Sequence, residues 1–240
     1  MRSHGLFLLA LLGAVSLPAH AAGLIAAEPP PAIIADLSRA NALADQIAVC
    51  AALARKPAEW AELAQTSRAQ VDAVRGQAQS LFGAIILSAE GLNSTAPKCH
   101  RSSRGDARQQ VTELTQSVQA GLAAIASPMR AGLWLGLFPL CAETVSEVTG
   151  QELPNHGWAI TVRLKPHATQ TLRPYSARFI RPERPPPISF RVNGAELSQL
   201  LITEQIGDAL ILTWTGDQTS YGLVMKAIAA TCPPGLGGRA

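Results

Sequence analysis

Four cysteines carry the most chemistry in this chain: Cys50, Cys99, Cys141 and Cys232. As thiolates they would be nucleophiles or metal ligands; as disulfides they would be covalent ties. The N-terminus favours the second use. Met1-Arg2 gives a positive start, Gly5 to Leu17 a short apolar run, and Ala19-His20-Ala21 a small-residue cleavage site. That is the pattern of a secretory signal peptide over residues 1–21, and export places the cysteines where they oxidise. No Cys-x-x-Cys occurs, which argues against a thiol oxidoreductase.

The other candidates each have a plainer structural use. Asp217 and Ser220 could belong to a nucleophilic site, yet their spacing is also that of a helix N-cap, and neither Gly-x-Ser-x-Gly nor Ser-x-x-Lys occurs. Glu143, Glu147 and Glu152 could supply paired carboxylates for glycoside cleavage. With Glu143 and Glu147 four apart on a short helix, they equally make a solvated face. His100, His156 and His167 lack the clustered spacing of a zinc site, and a disulfide-bonded Cys99 could not join His100 as a ligand. Asp106, in Arg104-Gly105-Asp106, is expected to cap the helix that follows. Asn93-Ser94-Thr95 is a glycosylation sequon, relevant only in a host that glycosylates exported proteins. None of these names a reaction, and no catalytic residue, cofactor or metal site is expected.

The most unusual local feature is charge set among prolines. Arg178, Arg181 and Arg184 recur every three residues beside Pro182, Pro185, Pro186 and Pro187. A polyproline II segment has three residues per turn, so these arginines would line one edge and could dock an acidic protein or an anionic envelope polymer. Seven cations between Arg163 and Arg191 face one anion, Glu183. Four anions (Glu196, Glu204, Asp208, Asp217) follow before Val224 with no cation among them. The two stretches are expected to neutralise one another across a sheet; an exposed basic face is the alternative. A net charge of +3 does not suggest nucleic acid as a partner.

These residues need elements to hold them. The apolar fraction of 48% supports a packed core, and the mature chain of about 219 residues allows one large domain or two of about 100 residues each. Ala131 to Leu140 is too short and too proline-interrupted to span a bilayer. Residues 22–31, ending in Pro29-Pro30-Pro31, read as an extended tail. Leu37, Ala40, Ala44, Ile47, Ala51 and Ala54 mark one helix face, with Asp36 as its cap. Pro57 suits the first turn of a second helix, with Trp60, Leu63, Val71 and Val74 buried.

An unbroken helix from Pro57 to Leu92 would run about 50 Å, carrying Cys99 far beyond the roughly 7 Å a disulfide to Cys50 allows between Cα atoms. We therefore expect a reversal near Gly76 together with a Cys50–Cys99 bond. A helix from Ala107 to Ala126 ends at Ser127-Pro128. The second half carries a short helix from Pro139 to Thr149 ended by Gly150, and an alternating strand over Trp158 to Lys165. A weaker strand covers Thr171 to Ile180, broken by Pro174. Another, through Ile188, Phe190 and Val192, runs into the tight turn Asn193-Gly194. Ala209 to Trp214 reads as a central strand, and Asp217 caps a closing helix that brings Cys232 to Cys141.

The fold expected is α+β: an all-α bundle of three or four helices (residues 32–127), then a small α+β domain (128–233) with a mainly antiparallel sheet and a C-terminal helix, and a tail at 234–240. The function expected is that of an exported, disulfide-stabilised envelope interaction or assembly factor without catalytic activity, periplasmic or secreted. It would contact a protein or anionic partner through Arg178, Arg181 and Arg184, with no nucleic acid and no transmembrane segment in the mature chain. The alternatives are a periplasmic hydrolase with a dispersed site and a small-ligand or metal carrier.

Overall fold

The computed structural model describes residues 28–53, 57–87, 99–100, 102–154, 157–180 and 185–232. The signal peptide, Ala54, the sequon, His156, Arg181, Arg184 and the tail 234–240 lie outside the described residues.

Three helices form the first part: α1 (Pro31–Leu53), α2 (Pro57–Phe82) and α3 (Ser103–Ala126). The apolar spacing builds the shared core. Leu37, Ala40, Ala44 and Ile47 of α1 are buried with Trp60, Leu63, Val71, Val74 and Ala78 of α2 and Val111, Val118 and Leu122 of α3.

Two expected caps are corrected. Helix α1 starts at Pro31 rather than after Asp36, because proline tolerates the first turn and Ile33 extends the buried face by one turn. Asp36 then lies inside the helix, where it accepts a hydrogen bond from Ser117 Oγ of α3 at 2.7 Å and binds Arg39. The Ser117 bond, helped by Arg39 and opposed by partial burial, holds its carboxyl below the ordinary range. Asp106 likewise sits within the first turn of α3, whose N-cap is Ser102.

Helix α2 passes straight through Gly76 and ends at Phe82, so the expected reversal there is wrong. The Cys50–Cys99 bond forms nonetheless, with Cα atoms 5.1 Å apart. A long α2 does not strand Cys99. The 26-residue helix is about 39 Å long, and the seventeen residues from Gly83 to Cys99 can span up to about 55 Å when extended. The chain turns at Gly83 instead, where φ is +81°.

The second part contains two antiparallel sheets. One orders its strands β2-β1-β5-β6, from β1 (Leu133–Leu135), β2 (Phe138–Leu140), β5 (Ile188–Val192) and β6 (Ala195–Leu200). The other orders β3-β4-β7, from β3 (Val145–Leu153), β4 (Gly157–Leu164) and β7 (Ala209–Thr215). Helix α4 (Pro166–Ala177) connects the sheets, and α5 (Gln218–Ala229) closes the fold. The Asn193-Gly194 turn joins β5 to β6 with both φ values positive, as this pair of residues permits. Phe190 of β5 meets Trp214 of β7 at a ring separation of 5.8 Å, so the sheets share a core.

Three further expectations fail. Residues 139–149 are not a helix but β2, a turn holding Cys141, and the start of β3. Thr144 organises the turn: its Oγ1 accepts from Cys141 N–H at 3.0 Å and donates to Pro139 C=O at 2.9 Å. Gly150 is mid-strand, and a Cβ there would collide with the Tyr221 ring and hydroxyl. Thr171 to Ile180 is not a strand but mostly α4. Ala168, Leu172 and Tyr175 are buried at helical spacing, and Pro174 costs only one donor near the helix end. Strand β7 is not central; β4 is.

One contiguous cluster of buried residues runs through both parts. Tyr175 of α4 is its hinge pin. Its hydroxyl donates to Leu81 C=O at the end of α2 and accepts from Leu137 N–H at 2.8 Å.

Candidate functional site

Most residues with chemical potential are occupied in structural roles. Cys141 and Cys232 are disulfide-bonded, with Cα atoms 5.3 Å apart. Glu143 accepts the Cys232 N–H at 2.6 Å. Cys141, Glu143 and Cys232 bring three donor atoms close enough for a metal ion, but both sulfurs are committed to each other.

Asp217 is the N-cap of α5: its Oδ1 accepts from Ser220 N–H at 2.8 Å. Ser220 Oγ donates to Asp217 C=O at 2.7 Å and accepts from Trp214 Nε1 at 3.1 Å, so the pair closes a turn and meets no base among the described residues. Glu147 stands on a strand rather than a helix and pairs with Arg163 at 3.3 Å. His100 and His167 are exposed and far apart in the fold's order, on the approach to α3 and the first turn of α4.

Among the described residues, the basic stretch and the acidic stretch meet in ion pairs. Arg163 of β4 reaches Asp208 at 3.7 Å, and Arg191 of β5 reaches Glu196 of β6 at 3.4 Å. Arg178 is corrected. It is the helical C-cap of α4 and is half-buried, its carbonyl accepting from Ala84 N–H at 2.8 Å. A three-per-turn polyproline edge therefore does not begin at Arg178. Arg181 and Arg184 lie outside the described residues.

What sequence reasoning missed is a groove. The chain leaves β6 at Leu200, makes an eight-residue loop and returns as β7. Ile206 N–H donates to Ser176 Oγ of α4 at 3.2 Å, and Asp208 C=O accepts from Leu164 N–H at 2.7 Å; these two bonds hold the loop's second half. Beneath the loop the sheets part and leave a groove of about 480 Å³. Its floor includes Leu135, Ile188 and Leu212, all fully buried, and its lip carries Leu201 and Ile211, which are 64% and 67% exposed. Glu204 is the carboxylate on its lining, and it forms no ion pair with any described residue. The signals available in the sequence were weak ones. Leu200-Leu201-Ile202 continues apolar past the end of β6, and the uncharged run 209–215 looked central because it is apolar.

An apolar floor with a carboxylate on the wall that pairs with no described residue can hold an apolar, cationic group. No helix among the described residues is long and apolar enough to cross a membrane. Compared with protein families, curated proteins and solved structures, the chain matches none.

Proposed function

We propose that this is an exported binding or assembly factor of the cell envelope. It acts by surface contact rather than by chemistry, and its principal contact is the groove between β6 and β7. The observation that supports this reading is the exposure of Leu201 and Ile211 on the lip of a groove with a fully buried apolar floor. Large apolar side chains held in water beside an open apolar groove mark interaction sites. The two disulfides, one within 31–127 and one within 128–232, suit an oxidising compartment. The arginines at 178, 181 and 184 remain a proposed second contact for an anionic partner.

The test is site-specific photo-crosslinking of the mature chain in its own host envelope. A crosslinker at position 211 should capture one partner that a crosslinker at the exposed Gln119 of α3 does not. Equal capture from both positions, or none from 211, would refute the groove as the contact. Loss of capture in Arg178→Gln/Arg181→Gln/Arg184→Gln would add the basic segment to the interface. The groove is also large enough for a small apolar molecule. On that second reading the crosslinked species is a small ligand, and its removal lowers the thermal midpoint.

A further inference from the structure

Four strands lie at the edges of the two sheets: β2, β6, β3 and β7. Edges expose unpaired backbone groups, and proteins blunt them with proline, charge or bulges. Strand β2 has three residues with Pro139 at its centre. Strand β3 carries Glu147 and Glu152 and a register shift between Val145 and Glu147. Strand β6 carries Glu196, and its pairing with β5 shifts register between Phe190 and Arg191. Strand β7, Ala-Leu-Ile-Leu-Thr-Trp-Thr, has no charge, no proline and an unbroken register against β4.

Which backbone groups β7 leaves free follows from two bonds. Leu164 N–H donates to Asp208 C=O, which places the even-numbered residues of β7 in the hydrogen-bonded positions against β4. Ser198 Oγ of β6 donates to Thr213 C=O at 3.2 Å, so the odd-numbered residues point their backbone groups away from β4. Strands β6 and β7 belong to different sheets and are not paired. Residues 209–212 line the groove, and the N–H and C=O of Ala209 and Ile211 lie on the side of β7 that points away from β4. Glu204 stands on the loop above, paired with no described residue, in a stretch from Val192 to Val224 that contains no lysine or arginine.

We propose that β7 takes up an extended segment of another protein as an added strand. The segment is apolar at alternate positions and carries a lysine or arginine that meets Glu204. Main-chain pairing to Ala209 and Ile211 supplies affinity, the apolar floor selects alternate side chains, and the carboxylate sets direction. A second copy of this chain fits less well, because its own edge brings Glu204 and Asp208 rather than a cation. The inference rests on the groove as a binding site and adds the mode and chemistry of the partner.

The test uses the disulfide-bonded mature chain and a synthetic probe, acetyl-Thr-Val-Thr-Val-Thr-Val-Lys-amide. Two twins accompany it, one N-methylated at alternate backbone amides and one with glutamate in place of lysine. Calorimetric titration should show binding that N-methylation weakens at least tenfold and the charge reversal several-fold. Amide hydrogen exchange should slow at Ile211 on binding, with Leu210 and Leu212, already paired to β4, unchanged. Ile211→Pro removes the free donor while sparing the β4 ladder, and should abolish binding with the circular dichroism spectrum retained. Should that variant fail to fold, Glu204→Lys, on an exposed loop, gives the same reading through a several-fold loss. Equal binding of the N-methylated twin would overturn strand addition and leave the groove reading intact. Absence of binding by any probe, with crosslinking at 211 preserved, would likewise overturn it. Failure of both experiments would remove the groove itself.

Discussion

A single hydroxyl decides how the helical part is fastened to the rest. Tyr175 is buried, and its Oη holds two backbone groups: Leu81 C=O, one of the last carbonyls of α2, and Leu137 N–H beside β2. Helix-end carbonyls lack an intrahelical partner, so the phenol acts as a distant cap. Tyr175→Phe leaves both groups buried and unpaired, and should lower stability by about 2–4 kcal/mol in denaturant titration. Alkali provides a second reading of the same contact. Burial pushes the Tyr175 phenol well above its ordinary value near 10, against the smaller opposing effects of the Leu137 bond and the Arg178 charge. Above pH 10 the unfolded chain therefore loses a proton that the fold retains, and stability falls as pH rises, by at most about 1.4 kcal/mol per pH unit. Wild type should lose more stability than Tyr175→Phe between pH 10 and 11.5. Parallel stability curves would show that the phenol is not desolvated as described.

At the level of elements, two glycines on the same helix line test where the chain turns. Gly76 is exposed in the interior of α2, with open space where a Cβ would lie. Gly76→Ala should therefore stabilise by about 0.5–1 kcal/mol. Gly83 has a φ of +81°, and its Cβ would fall 2.6 Å from the carbonyl oxygen of Arg178. Gly83→Ala should cost about 2–3 kcal/mol. A reversal of these signs in thermal denaturation would refute the path of α2. The helices were legible in the sequence because their apolar period is long and sustained: α1, α2 and α3 all run for more than twenty residues. The failures cluster where an element is short and a proline or glycine has two uses. Pro139 reads as a helix start and serves an edge strand. Pro174 reads as a strand breaker and sits inside α4. Gly150 reads as a helix end and makes room for Tyr221. Both disulfides were expected, Cys141–Cys232 from the closing helix and Cys50–Cys99 from a reversal near Gly76 that α2 does not make. The groove was not, because a gap between two strand edges depends on how two sheets splay, and no local pattern records that.

The molecule as a whole poses the question of whether its halves are independent. Composition suggests a division near Ser127, where α3 ends, and each half closes with its own disulfide. The packing runs across that line. Leu81, Phe82 and Ile85 belong to the same buried cluster as Tyr175, Phe179 and Phe190. The Leu81–Tyr175 bond joins residues 94 positions apart, beyond any window in which sequence periodicity has meaning. A polar-rimmed contact between two domains would allow separate melting; a continuous core with buried hydrogen bonds should not. We therefore expect one cooperative transition. Far-ultraviolet dichroism, dominated by α1 to α3, and the fluorescence of Trp134, Trp158 and Trp214, read in a Trp60→Phe background, should share a midpoint. Replacing Cys50 and Cys99 by alanine sharpens the test. On a chain-entropy account that bond contributes roughly 4 kcal/mol, a large part of the 5–15 kcal/mol typical of a folded chain. In a cooperative molecule both signals shift down together when it is removed, although the bond lies wholly within the helical part. If only the dichroism shifts and the fluorescence midpoint stays in place, the halves fold as separate units, and the groove would be the property of residues 128–232 alone.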